Sequence, residues 1–241
     1  MNKVLSQLKD FNDSVVAIIP ARIGSKRIPK KNLQLIKNKS LIKRSLSTAY
    51  NSSIFDHIVL SCDSNEIAEQ GKGIASEIHM RNKINAIDTA STESLIEEVI
   101  KFYPNIFKNN TLIYLLQCTS PFLESIDLIK SYEEINNKNM KYESIFSGYL
   151  FNKFVWQFNV NEQSYMSVNY NPQKRPRSQD SEKFYIENGA FYIFGKSNFD
   201  HTKCRLHGKI GIYEMEEIKS VDIDEPFDLK LSNHIYDLLY K

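Results

Sequence analysis

Several features that mark whole classes of protein are absent from this sequence. There is no run of about 18 apolar residues to cross a bilayer, and residues 1–13 lack the apolar segment and cleavage site of a secretory leader. The three cysteines, Cys62, Cys118 and Cys204, form no Cys-x-x-Cys pair, which argues for a reducing compartment rather than a disulfide framework. A net charge of only +2 indicates no nucleic-acid-binding stripe or membrane-binding face. We therefore expect a cytoplasmic protein without nucleic-acid or membrane partners.

The common glycine-rich phosphate loops are also missing. A Walker A loop has a glycine five residues before its Gly-Lys-Ser/Thr, and a dinucleotide fingerprint has three spaced glycines, whereas Gly24 stands alone. The chain instead has an apolar run, Val15–Ile19, which is typical of a strand buried on both faces. The loop after this run carries five cations: Arg22, Lys26, Arg27, Lys30 and Lys31. Cations and backbone N–H groups at the carboxyl end of a strand predict a polyphosphate site, and the alternative is a solvated basic surface.

The length of 241 residues and an apolar content of 41% suit one large α/β domain. We predict a short extension over 1–14 and a single domain over 15–241. Apolar periodicity predicts strands at 57–62, 77–81, 111–116, 144–149 and 154–160. The same analysis predicts amphipathic helices at 40–50, from about 92 toward 104, and at 226–240.

An acidic pair precedes the predicted last helix. In the run Ser220–Pro226, Asp222 and Asp224 are two residues apart, so a strand would direct both carboxylates to one face and Ile223 to the core. Two adjacent carboxylates suit Mg²⁺, a hard cation that is usually shared between carboxylates and substrate phosphates. The alternative is an acidic strand end that caps the last helix.

The basic loop carries a specific resemblance. Its pattern Pro-Ala-Arg-x-Gly-Ser-Lys-x-x-Pro-x-Lys-Asn, over residues 20–32, resembles the signature loop of the acylneuraminate cytidylyltransferases, which couple CTP to sialic acid and related nonulosonic acids. The resemblance implies that the loop wraps the triphosphate, with catalytic phosphate roles for Arg22 and Lys31 and a nucleotide role for Asn32. It implies further nucleotide contacts from the other loop positions that match: Ala21, Gly24, Ser25 and Lys26.

A second matching segment concerns the base and ribose. Arg81 and the run Asp-Thr-Ala-Ser-Thr at 88–92 resemble the family's Arg-x(6)-Asp-Thr-Ala-Ser-Ser segment, with threonine in place of the last serine. By this resemblance Arg81 and Thr92 contact the base and ribose side of CTP. The resemblance also places Asp63, which follows the predicted strand 57–62, beside the nucleotide site, and the alternative is a simple helix cap.

Three further matches concern the sugar. Gln117, in Leu-Gln-Cys-Thr-Ser-Pro, is implied to face it, although Cys118 replaces the usual first proline and the alternative is a plain strand-to-helix turn. Arg177, in Pro-Arg-x-Gln-Asp, is implied to pair with the sugar carboxylate in a neighbouring subunit, and the alternative is a flexible basic loop. Residues 187–194 resemble the family's Asn-Gly-Ala-x-Tyr strand, which implies Asn188 and Tyr192 at the sugar, whereas aromatic residues in strands are more often core.

Matches to the family extend from Val15 to Asp228. They imply an α/β fold of the Rossmann-like, glycosyltransferase-A-like nucleotidyltransferase type, a three-layer sandwich with a mainly parallel mixed sheet and a dimerisation arm at about 150–185. They imply a homodimer with shared active sites and a magnesium or manganese ion held by Asp222 and Asp224. The implied reaction transfers CMP from CTP to the anomeric hydroxyl of a nonulosonic acid and releases pyrophosphate. Open alternatives are an enzyme for 3-deoxy-manno-octulosonate and a catalytically silent nucleotide-sugar-binding protein, and the sequence leaves the particular sugar acid undecided.

Overall fold

The computed structural model describes residues 14–82, 84–85, 90–177, 180 and 182–240. Its strands are, in chain order, β1 (Ser14–Ala21), β2 (Leu35–Ile36), β3 (Lys39–Ser40), β4 (His57–Cys62), β5 (Glu77–Met80), β6 (Thr111–Leu116), β7 (Ser144–Phe151), β8 (Trp156–Asn159), β9 (Ser164–Ser167), β10 (Phe184–Gly195) and β11 (Ile210–Glu214). Its α-helices are α1 (Leu41–Ser52), α2 (Asn65–Gly71), α3 (Thr92–Phe102), α4 (Ser125–Ile135), α5 (Lys196–Thr202) and α6 (Pro226–Leu239). Short 3₁₀ turns lie at Lys31–Leu33, Pro172–Lys174 and Glu217–Lys219.

A seven-stranded mixed sheet occupies the centre, with strand order β11-β7-β10-β6-β1-β4-β5. Strand β10 runs antiparallel to its two neighbours, β6 and β7. The other neighbouring pairs are parallel, so six strands share one direction. The predicted α/β fold with a mainly parallel mixed sheet is confirmed.

Helices cover both faces of the sheet and give three layers. On one face α1 and α4 contribute Leu46 and Leu128 to the larger apolar core. On the other face α3 and α5 contribute Val99 and Phe199 to a second core. Every residue of the central strand β6 is buried, and a strand covered on both faces needs apolar side chains in both directions. This requirement explains why Val15–Ile19 is a continuous apolar run rather than an alternating one.

Serine residues are the N-caps of three helices, α1, α2 and α3. For α2 the structure corrects the cap that the sequence suggested. The N-cap of α2 is Ser64, whose Oγ accepts from the backbone N of Ile67 at 3.3 Å. Asp63, offered from sequence as a possible cap, lies one residue too early and bonds elsewhere. The last helix begins with a capping box made by Glu225 and Asp228, so the capping alternative for Asp222 and Asp224 is wrong.

A small antiparallel hairpin, β8 with β9, leaves the main sheet between β7 and β10. It exposes large apolar side chains: Trp156 is 47% exposed, Phe158 48% and Tyr165 68%. The first of these strands is shorter than predicted and spans Trp156–Asn159 rather than 154–160. The hairpin lies within the stretch predicted to be an arm.

Within the described parts of the chain, no helix combines the length and the apolar character needed to cross a membrane. The predicted extension lies outside the described residues except for Ser14, where β1 begins. Asp88 and Thr89 of the predicted nucleotide segment also lie outside them.

Candidate active site

A cavity of about 450 Å³ opens where β1 and β6 end and α3 begins. Parallel strands present their carboxyl ends on one edge of a sheet, and ligands of open α/β sheets occupy that edge. Ten of the residues predicted from sequence line the cavity: Arg22, Gly24, Ser25, Lys26, Lys31, Asn32, Arg81, Thr92, Gln117 and Asp224. The sheet therefore brings together residues that are far apart in the chain.

Four of the five loop cations line the cavity: Arg22, Lys26, Arg27 and Lys31. Lys30 has a left-handed backbone, with φ 49°, and its ammonium pairs with Glu66 at 2.7 Å on the exposed surface. Arg81 adds a fifth cation to the cavity wall. Among the described lining residues, Asp224 supplies the sole carboxylate, so the cavity is strongly positive and suits a polyanion.

The basic loop is held in shape by two polar side chains. The Asp63 Oδ1 accepts from the backbone N of Ile23 at 2.8 Å, so this aspartate fastens the loop rather than a helix. The Asn32 amide donates to the carbonyl oxygen of Arg22 at 2.9 Å, and Asn32 is only 8% exposed. These two bonds hold the loop backbone before any ligand arrives, which reduces the ordering cost of binding.

The opposite wall carries Arg81 and the start of α3. The Arg81 guanidinium donates to the carbonyl oxygen of Ser61 at 2.9 Å, and its Nε donates to the Ser61 hydroxyl at 3.2 Å. Burial lowers the pKa of the Arg81 guanidinium below its ordinary value, and the charge of Asp63 opposes this effect. The Ser91 hydroxyl caps α3 by accepting from Ser94 N at 3.0 Å, which places Thr92 in the first turn. A helix N-terminus beside an arginine favours an anionic or polar ligand.

The tip of β6 forms the floor. Gln117 lines the cavity, and its backbone N–H donates to the carbonyl oxygen of Ala190 at 3.0 Å. Burial raises the pKa of the Cys118 thiol to about 12. Cys118 therefore contributes a neutral, unreactive thiol to the cavity wall. Thr119 also lines the cavity, and its carbonyl oxygen accepts from Ile223 N at 2.9 Å.

The segment Ser220–Asp224, called here the acidic segment, reaches the same edge of the sheet from near the end of the chain. Residues 221–224 belong to no strand or helix, so the predicted strand is wrong, although Ile223 is fully buried as expected. Backbone pairing of Ile223 to Thr119 replaces a sheet ladder. The Lys31 ammonium donates to an Asp224 carboxylate oxygen at 3.0 Å, and Arg27 lies 3.6 Å from the other oxygen.

Asp222 has an exposed side chain and lies outside the cavity lining. Partial desolvation by the surrounding protein raises the pKa of Asp222 above its ordinary value, the charge of Asp224 raises it further, and a hydrogen bond with Thr119 opposes the rise. A positive ion between the two carboxylates would relieve both unfavourable effects. The pair is therefore suited to hold a hard divalent cation next to the cationic loop.

Of the four residues predicted to contact the sugar, one lines the cavity and three do not. Gln117 lines the cavity, whereas Arg177 is exposed and outside its lining. Tyr192 is buried on the α3 face, and its hydroxyl donates to the Glu187 carboxylate. Asn188 is 5% exposed and bonds to other residues of the chain. Ala21, the remaining predicted residue away from the lining, is the buried last residue of β1.

Several lining residues were not predicted as site residues, among them the polar residues Asn85 and Thr119. Thr119 follows Gln117 by two positions, and this spacing was the available signal, since alternate residues of an extended chain share a face. Asn85 lies between strand and helix without a recognisable motif, and its Oδ1 accepts from the Ser94 hydroxyl at 2.8 Å.

Comparisons with known proteins agree with this geometry. A family model described as cytidylyltransferase matches residues 16–239. The pseudaminic acid cytidylyltransferase of Campylobacter jejuni subsp. jejuni serotype O:2 is 35% identical over 223 residues, which cover 92% of this chain and 95% of that protein. The N-acylneuraminate cytidylyltransferase of Oncorhynchus mykiss is 32% identical over 225 residues, which cover 92% of this chain and 50% of that protein. The chain thus spans about half the length of the N-acylneuraminate relatives that it matches.

A solved structure gives the same fold. The CMP:2-keto-3-deoxy-manno-octonic acid synthetase complexed with CTP aligns with a TM-score of 0.64 at 14% identity, covering 94% of this chain and 99% of that one. At this identity the likeness shows the fold alone, and it confirms the predicted Rossmann-like nucleotidyltransferase architecture.

Proposed function

The chain belongs to the cytidylyltransferase family, and from that premise we propose that it transfers CMP from CTP to a sialic-acid-like nonulosonic acid. The product is a CMP-activated sugar, and pyrophosphate is released. The observation that carries the proposal is the cavity of about 450 Å³ in which five cationic side chains face the acidic segment. The names of relatives at 32% and 35% identity support the nonulosonic acid class.

The cationic loop binds the triphosphate. Arg22 and Lys31 pair with phosphate oxygens, and Gly24, Ser25 and Lys26 complete the loop around them. Ala21 ends β1 and orients the loop that follows. Gly24 is suited to this role because a Cβ there would meet no atom of the chain within 4 Å. The open space leaves room for a phosphate to approach the backbone closely.

Base and ribose lie on the opposite wall. Arg81 is fixed by two bonds to Ser61, so its remaining N–H groups are oriented before the nucleotide binds. Thr92 presents a hydroxyl from the first turn of α3, and Asn32 holds the backbone of Arg22 between the two walls. We propose that these three residues select cytosine and ribose.

The reaction forms one bond and breaks one bond at phosphorus. The anomeric hydroxyl oxygen of the sugar attacks the α-phosphorus of CTP, and the bond from this phosphorus to the β-phosphate oxygen breaks. Arg22 and Lys31 stabilise the negative charge that gathers on the transferring and leaving phosphates. The hydroxyl proton leaves toward the acidic segment, where Asp222 or Asp224 accepts it.

Asp222 and Asp224 are the residues that would hold a divalent cation, Mg²⁺ or Mn²⁺. The ion would supply charge neutralisation at the phosphates when it is bound. The donor set fits, because two carboxylates flank the buried Ile223 and one of them already contacts Lys31 of the triphosphate loop.

The sugar is proposed to occupy the part of the cavity beside Gln117. Gln117 lines the cavity, and its side-chain nitrogen lies near Gly189. Tyr192 pairs with Leu115, a lining residue, so its strand borders this part of the cavity. Asn188 lies on the same strand, but its side chain is buried and bonded within the chain.

Arg177 is proposed to complete the site of a second copy in a homodimer. Its exposure and its absence from the lining of its own cavity agree with that role. The exposed aromatic face of the hairpin, with Trp156, Phe158 and Tyr165, offers apolar surface for the partner.

We also propose a cytoplasmic location, because two of the three cysteines are buried and all are free thiols.

The experiment that tests the function is product analysis with a panel of substrates. The purified chain is incubated with Mg²⁺, with CTP, UTP or ATP, and with sialic, legionaminic or pseudaminic acid or 3-deoxy-manno-octulosonate. Mass spectrometry should find a CMP-sugar with CTP and at least one nonulosonic acid, and little product with UTP or ATP. Product only with 3-deoxy-manno-octulosonate would replace the proposed acceptor, and nucleotide binding without product would favour a silent binding protein.

A further inference from the structure

A bulge in β10 places Asn188 between the sheet and the acidic segment. The pairing of β10 with β7 shifts register between Glu187 and Tyr192. Gly189 at this point has φ +72°, a conformation that favours glycine. The bulge turns the Asn188 side chain into the protein, where it is only 5% exposed.

The hydrogen bonds of the Asn188 amide lie within the chain. Its Oδ1 accepts from the Ser147 hydroxyl at 2.6 Å and from the backbone N of Ala190 at 3.1 Å. Its Nδ2 donates to the Ser220 hydroxyl at 2.9 Å and lies 3.3 Å from the sulfur of Met215. An amide offers two acceptor sites and two N–H groups, so these four contacts use its full capacity.

The segment Ser220–Asp224 is held at several points, and Asn188 provides the first. Lys219, just before the segment, pairs with Glu124 at 2.7 Å. Further along, Ile223 N donates to the carbonyl oxygen of Thr119 at 2.9 Å. The β6 tip that carries Thr119 is itself tied to the bulge, because Gln117 N donates to the carbonyl oxygen of Ala190 at 3.0 Å. The bulge, the tip of β6 and the acidic segment thus form a closed ring of contacts.

We propose that Asn188 is a positioning residue for the acidic segment rather than a contact of the sugar acid. Through Ser220 its amide fixes where Asp222 and Asp224 lie relative to Lys31, and so sets the affinity for the divalent cation. This inference rests on the proposed function and departs from the sugar role that the sequence resemblance implies. Its physical basis is that the amide is buried and has no hydrogen-bonding capacity left for a ligand.

Ser220→Ala is the informative variant, because it removes the partner of Asn188 without altering Asn188 itself. Mn²⁺ binding is measured by electron paramagnetic resonance on the full chain with CTP and without sugar acid. The KM values for CTP and for the sugar acid are measured in parallel. Ser220→Ala removes the bond from Asn188 and also the bond that the Ser220 hydroxyl donates to the carbonyl oxygen of Glu216 at 3.0 Å. Loss of each hydrogen bond between neutral groups corresponds to about three- to tenfold in an equilibrium constant, and only the bond from Asn188 joins the segment to the bulge. We expect weakening of Mn²⁺ binding in that range with an unchanged KM for the sugar acid.

Further variants separate positioning from general damage. Ser220→Thr keeps the hydroxyl and should restore the Mn²⁺ affinity. Asn188→Ala should weaken Mn²⁺ binding as Ser220→Ala does, and the loss in the double variant should be smaller than the sum of the two single losses, because the two residues share one hydrogen bond. Ser52→Ala removes a buried hydroxyl that donates to the Ala49 carbonyl oxygen on α1, and it should leave both the Mn²⁺ affinity and the KM values unchanged.

Two results would overturn the inference while the proposed function stands. One is an active Ser220→Ala variant that binds Mn²⁺ as the wild type does. The other is a raised KM for the sugar acid in Asn188→Ala with unchanged Mn²⁺ binding. A wild-type chain that makes no CMP-sugar would instead overturn the proposed function, and the inference with it.

Discussion

The Lys31 ammonium lies 3.0 Å from a carboxylate oxygen of Asp224 and joins two segments that are 193 residues apart in the chain. The same ammonium donates to the carbonyl oxygen of Ile223 at 2.8 Å. The Lys31 side chain is 17% exposed, whereas that of Asp224 is 55% exposed. One lysine therefore links the basic loop to the proposed cation site, and its charge acts on both.

Replacement of this lysine should impair chemistry more than stability. Lys31→Met keeps the apolar stem and removes the charge, so we expect turnover to fall about a hundredfold, the scale for loss of one electrostatic stabiliser of a transition state. The thermal midpoint should change little, because an ion pair with an exposed partner contributes about 1 kcal/mol or less. Steady-state kinetics and thermal unfolding measure the two effects.

The neighbouring lysine is the matched control. Lys30 is in the same loop but pairs with Glu66 on the surface, so Lys30→Met should keep near wild-type turnover. Equal losses in the two variants would show that the loop acts through its general charge and would contradict the assignment of Lys31.

These adjacent lysines show what the sequence allows and where it stops. The cluster of cations after a buried apolar run was enough to predict a polyphosphate loop, and the structure places four of the five on the cavity. The direction of Lys30 was not predictable, because it depends on a left-handed backbone with φ 49° and on Glu66 across the surface. The sequence showed that cations cluster in this loop. The direction of each side chain depends on the backbone conformation, which the sequence did not show.

Gly24 offers a test of close ligand approach. A Cβ at Gly24 would meet no atom of the chain within 4 Å, and its φ is not in the positive range, so Gly24→Ala should leave the thermal midpoint unchanged. If a phosphate approaches this backbone, the added methyl group should raise the KM for CTP about tenfold, on the scale of 1–3 kcal/mol for overpacking. CTP titration and thermal unfolding measure both quantities.

Gly73 is the converse case. Its Cβ position is also open, but its φ of +77° strains any other residue. Gly73→Ala should therefore lower stability by about 1 kcal/mol and leave the KM for CTP unchanged. An unchanged KM in Gly24→Ala would remove the loop backbone from the proposed phosphate site.

Exchange of Arg177 between subunits can be tested by mixing inactive variants. Arg177→Ala should raise the KM of the sugar acid far more than that of CTP, and Asp224→Asn should lower turnover. In a mixed dimer one site carries both defects and the other carries neither, so co-refolded variants should recover activity that neither shows alone. A fully active monomer by light scattering, or no recovery on mixing, would count against the shared site.

We expect the buried His79 to lower the stability of the folded state at acid pH. It is fully buried, with Nδ1 3.0 Å from the Ser61 hydroxyl that also accepts from Arg81. Burial lowers the pKa of His79 below its ordinary value of 6.5, while the charge of Glu98 partly opposes this. The folded state then binds fewer protons than the unfolded state, so this contribution to stability is complete above pH 6.5 and is lost as the pH falls below it.

Thermal midpoints measured from about pH 8 to pH 5 would show this loss as a downward slope on the acid side. His79→Phe should flatten that slope, even if its midpoint is lower throughout. The exposed His234 is the control, and His234→Phe should keep the wild-type slope. An identical acid slope in His79→Phe would assign the effect to other groups.

The acidic segment marks a second limit of sequence reasoning. Spacing alone indicated that Asp222 and Asp224 act together around the buried Ile223. The sequence suggested a strand, whereas the segment is fixed by side-chain and loop contacts, including Thr119 and Ser220, that have no periodic pattern. Asp63 was ambiguous for the same reason, because its partner, the backbone of Ile23, is 40 positions away.

The most direct test of the central claim is the stoichiometry of the products formed from CTP. The purified chain with Mg²⁺, CTP and the accepted nonulosonic acid should form one CMP-sugar and one pyrophosphate for each CTP consumed. Omission of the sugar acid should prevent pyrophosphate release, because the anomeric hydroxyl is the attacking group. Release of inorganic phosphate in place of pyrophosphate, or pyrophosphate release without a CMP-sugar, would contradict the account.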